Sequence, residues 1–108
     1  MSAAGREPFV KSRFERALDD VFVMSAADAS TSIEVRLVEV KARPAPPGYE
    51  QFSALFVGPP SPVWPQGTYR FSSERFGSAD LFTVPLAPTA SGASYEVCVT
   101  GPIAPGAD

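Results

Sequence analysis

One stretch, FSALFVGPPSPVWPQGTYRF from Phe52 to Phe71, does most to restrict what this chain can fold into. Phe52, Ala54 and Phe56 fall on one face of an extended segment and Ser53, Leu55 and Val57 on the other, the two-residue alternation of a strand. Both faces are largely apolar, which predicts a central strand covered on both sides. Gly58-Pro59-Pro60 ends it, because proline has no N–H for a ladder and glycine permits a sharp change of direction. From Pro59 to Pro65, four of seven residues are proline, which favours a stiff, extended path. Gln66-Gly67 then turns into a second strand, Thr68-Tyr69-Arg70-Phe71, with Tyr69 and Phe71 on one face. Trp64 sits inside the crossing. It reads as a lid on one end of the core or as an exposed anchor for a partner, and the lid is favoured because large aromatics mostly do packing work.

The remaining segments read as strands added around that pair. Upstream, Phe9, Val10, Phe14, Ala17 and Leu18 recur at near-helical spacing after Pro8, with Lys11, Arg13, Glu15 and Arg16 opposite. This predicts a helix of about 8–11 residues laid across one end of the domain as a plug, stopped by Asp19-Asp20. Val21–Met24 is a short strand, and AADASTS after it is a hairpin loop. In Ile33–Lys41 the apolar phase changes at Val38, the signature of a β-bulge or a bend. RPAPPG (Arg43–Gly48) is a stiff loop. Ser72–Ser78 is a turn region. Ala79–Leu86 is a strand that Pro85 closes or marks as an edge, and Ala87–Gly92 is a loop. In Ser94–Thr100, Tyr95, Val97 and Val99 point inward and Glu96, Cys98 and Thr100 outward. The chain thus divides into a flexible N-terminus (1–7), one β-domain (8–100) and a flexible proline, glycine and alanine tail (101–108). Six strands and one short N-terminal helix make a mainly β, antiparallel barrel or sandwich.

Composition narrows the chemistry. The 108 residues suit one domain with a modest core. Twelve prolines and 8 glycines favour strands and turns over a helical bundle. A net charge of −3 with scattered Lys and Arg is a poor match for nucleic acid. The chain contains no histidine, which removes Ser–His and Cys–His nucleophile pairs and the commonest transition-metal ligand. Asp19, Asp20 and Asp28 lack the spacing of a calcium loop and read as helix stop and loop solvation. Glu34 and Glu39 share a strand at odd separation and read as surface charge. Cys98 has no adjacent base and no disulfide partner, which is compatible with a reducing compartment. No signal peptide and no membrane span are expected, and the chain is expected to be cytoplasmic as synthesised. No cofactor, no metal and no enzymatic activity are expected.

The order FSALF-x-GPP, PQGTYRF, LFTVPLAP and YEVCV resembles a small bacterial domain family, DUF6916. IEVRLVEV is similar to that family's upstream strand, and Phe14 and Phe22 suit its N-terminal helix and first strand. The resemblance spans roughly Phe9 to Val99. It implies a family of unknown function whose members are short bacterial proteins, and a structural or assembly role in a tail-like or fibre-like object. The AADASTS connection and the proline-rich tail depart from the family pattern.

A non-catalytic structural or assembly protein is therefore expected, working through a protein partner or self-association. Pro59, Pro60, Val63, Trp64, Pro65 and Gln66 are the candidate contact residues, joined by the Pro44–Gly48 loop and any unpaired strand edge. PxxP spacing at Pro59–Pro62 and Pro62–Pro65 adds a weak docking signal. Trp64→Ala or a charge at Val63 is expected to disturb assembly more than folding. The alternative is a small-ligand module with an apolar pocket under the Trp64 loop.

Overall fold

A computed structural model describes residues 11–88 and 92–102. The expected flexible N-terminus, the Pro8–Val10 start of the helix, most of the C-terminal tail and part of the Ala87–Gly92 loop lie outside those residues. A five-residue helix, α1 (Lys11–Glu15), precedes six strands: β1 (Val21–Ser25), β2 (Ser32–Arg43), β3 (Tyr49–Gly58), β4 (Gly67–Ser73), β5 (Gly77–Pro85) and β6 (Ala93–Pro102). All pairings are antiparallel. They close into a barrel in the order β1-β2-β3-β6-β5-β4. Two three-stranded meanders, β1-β2-β3 and β4-β5-β6, are joined where β3 meets β6 and β1 meets β4.

Closure removes the barrel-or-sandwich ambiguity and changes the reading of β3. Its inner residues Phe52, Ala54 and Phe56 are fully buried. Its outer face carries no second sheet; Ser53 is buried, while Leu55 and Val57 are half-buried. These apolar outer residues are only partly covered, and alternation alone does not distinguish such a barrel wall from a two-sided core.

The phase change in β2 is a bulge. Leu37 pairs with Phe56 and Glu39 with Leu55, leaving Val38 without a partner. Here the chain after α1 docks: Asp19 N–H donates to Leu37 O (2.7 Å) and Leu37 N–H to Asp20 O (3.1 Å). Asp19 adopts φ 72°, a left-handed stop that an aspartate tolerates. The helix itself ends at Glu15, short of the expected stop at Asp19-Asp20. Beyond Glu15 the chain continues as turns, with Ala17 N–H on Phe14 O and Leu18 N–H on Glu15 O.

Phenylalanine fills the interior. Phe14 meets Phe52 and Phe76 at 5.1 and 4.9 Å between ring centroids, and Phe22 meets Phe76 and Phe56 at 5.3 and 5.2 Å. Phe56 then reaches Phe71 at 4.7 Å. Such pairs add about 0.5–1.5 kcal/mol each beyond the area they bury. Phe76 comes from the stretch read as a turn. β4 and β5 join through Glu74-Arg75-Phe76, with Ser73 opposite Gly77 at φ 89°, a short hairpin loop with glycine at the left-handed position. The Ser73 hydroxyl accepts the Phe76 N–H at 3.0 Å, and the ring turns in beneath α1. Arg13 secures the same residue, donating to Phe76 O at 2.8 Å with its guanidinium 4.3 Å from the ring centroid.

One seam is short. β5 pairs with β6 only from Thr83 to Pro85, against Val97 to Tyr95. Gly77–Phe82 and Cys98–Pro102 have no partner across that seam among the described residues. β6 itself continues along β3 through Gly101 and Pro102, two residues beyond the expected end of the strand.

Candidate functional site

The connection 59–66 leaves β3 and enters β4 on the far side of the barrel, because three positions separate those strands in the closed order. It must cross the mouth, and it does so with bends at 60–62 and a cis Ser61–Pro62 peptide rather than along the uniformly extended path its prolines suggested. Trp64 drops from this strap into the mouth with 8% of its surface exposed. Its backbone N–H donates to the Tyr95 hydroxyl at 3.0 Å. Its ring lies 5.2 Å from that of Tyr69, whose hydroxyl donates to Pro65 O. Burial pushes the Tyr69 phenol above its ordinary 10.0, and the nearby Tyr95 adds to the shift. Trp64 is thus the lid of this pole, as Phe14 on α1 is the plug of the other.

The six expected contact residues therefore divide. Pro59, Pro60, Val63, Pro65 and Gln66 are exposed on the strap, and Trp64 is buried beneath it. The indole N–H has no acceptor among the described residues. No buried side-chain nitrogen or oxygen there lacks a partner, so this donor opens to solvent at the edge of the lid.

A hollow of about 250 Å³ lies beside it, lined by Ala26, Thr31, Trp64, Pro65 and Tyr69. Across Ala26 and Tyr69 it adjoins a second of about 310 Å³ that ends at Arg70 and Asp80. Together they form a shallow groove between the β1–β2 loop and the start of β4. Arg70 Nε is 2.9 Å from Asp80 Oδ1, and that hydrogen bond holds the Asp80 carboxyl below its ordinary 3.8. In the loop, Asp28 Oδ1 accepts from Ser30 N–H (2.9 Å) and hydroxyl (2.7 Å). These bonds lower the Asp28 pKa, while its neighbours Ala27 and Ala29 line the groove. The groove walls Tyr69, Ala26 and Thr31 were not singled out from the sequence. Tyr69 carried a signal in its shared face with Phe71, but small loop residues carry none.

The other acidic residues do not converge. Asp20 is held by Arg75 at 2.9 Å. Glu34 pairs opposite Val23 and Glu39 opposite Leu55, so the bulge turns both to the outer wall. No group of three or more His, Cys, Asp or Glu placed to hold a metal occurs among the described residues. No helix there is long and apolar enough to cross a membrane. Cys98 is exposed on the outer face of β6.

These features define a small closed antiparallel β-barrel domain, stoppered at both poles by aromatic side chains. The chain belongs to the family described as a domain of unknown function, DUF6916, whose model matches residues 9–99. Comparison with curated proteins gives no match, and neither does comparison with solved structures.

Proposed function

We propose that this protein is a non-catalytic structural or assembly component that works through protein–protein contacts. The observation that carries this reading is the short β5–β6 seam. Six residues of β5 lack a β6 partner there among the described residues, and Phe82 stands on its outer wall 53% exposed. Strand edges and exposed aromatics are what a neighbouring chain covers. The family resemblance suggests a tail-like or fibre-like bacterial assembly as the setting. Molar mass across a concentration series, for the native chain and for Phe82→Glu, tests the reading. Association that the variant weakens supports it, and association indifferent to Phe82 removes the seam as its basis.

A second reading, a small-ligand module, draws on the hollow beside Trp64. It predicts a monomer whose single tryptophan responds to a low-molecular-weight apolar compound.

A further inference from the structure

We draw no further inference here: the strongest candidate, the hollow beside α1 lined by Arg13, Arg16 and Arg75, carries nothing, because Arg13 already donates to Phe76 O and Arg75 to the Asp20 carboxylate, and charges committed within the chain do not name a ligand.

Discussion

The backbone N–H of Trp64 donates to the Tyr95 hydroxyl at 3.0 Å, tying the strap over the barrel mouth to the inner face of β6. Tyr95 is fully buried, so the bond is made away from water. Removing the hydroxyl leaves a backbone donor unsatisfied. Tyr95→Phe should destabilise the fold by about 1–3 kcal/mol and shift Trp64 emission to longer wavelength as the lid loosens. Chemical denaturation followed by tryptophan fluorescence reads both effects.

Burial of Trp64 also changes what its truncation should do. The sequence suggested that Trp64→Ala would harm assembly more than folding. A side chain 8% exposed and packed on Tyr69 instead predicts a folding loss of about 3–5 kcal/mol. Val63, 39% exposed on the same strap, should tolerate Val63→Asp within about 0.5 kcal/mol. Paired thermal melts of the two variants give the comparison.

Gly92 precedes β6 at φ 147°, and a Cβ there would lie 2.4 Å from Gly58 O. Neither a left-handed backbone nor a carbonyl at that distance leaves room for a side chain. Gly92→Ala should lower stability by about 1–3 kcal/mol, visible as a reduced denaturation midpoint with unchanged slope.

The strands and the bulge at Val38 were legible because each rests on local rules of alternation or turn chemistry, whereas the helix ends at Glu15, before the expected stop at Asp19-Asp20. The lid was legible for a related reason: a tryptophan held inside a rigid crossing has few places to go but the core. Closure was not legible. The β3–β6 and β1–β4 pairings join residues far apart in sequence, and alternation marks a strand without naming its neighbour. Phe76 shows the same limit, since a single phenylalanine in a Ser-Glu-Arg turn has no periodicity to mark it as core. The groove depends on Ala26, Thr31 and Tyr69 meeting across two elements. Of the residues around the barrel mouth, only the Pro59–Gln66 strap could be read in advance.

Acid should loosen two surface contacts. The carboxyls of Asp80 and Asp28 lie below their ordinary 3.8 in the folded chain, through the hydrogen bond from Arg70 and those from Ser30 respectively. A carboxyl lowered on folding contributes stability that is present above its unfolded value and is lost as pH falls through the folded value. Stability should therefore decline as pH drops through and below 3.8. Asp80→Asn should flatten that decline slightly, because both partners of this pair are exposed and screened. Melting temperature against pH for the two proteins checks the sign.

Phe82 offers the cleanest separation of folding from contact. It lies outside the barrel beside Thr68, so Phe82→Glu should leave the melting temperature nearly unchanged while weakening association. Equal loss of both would assign Phe82 to the fold.

The measurement that tests the central claim most directly is the molar mass of the full chain by light scattering across a concentration series. The account predicts a mass that climbs above the 11.4 kDa of one chain as concentration rises. A mass fixed at 11.4 kDa at every concentration would contradict it.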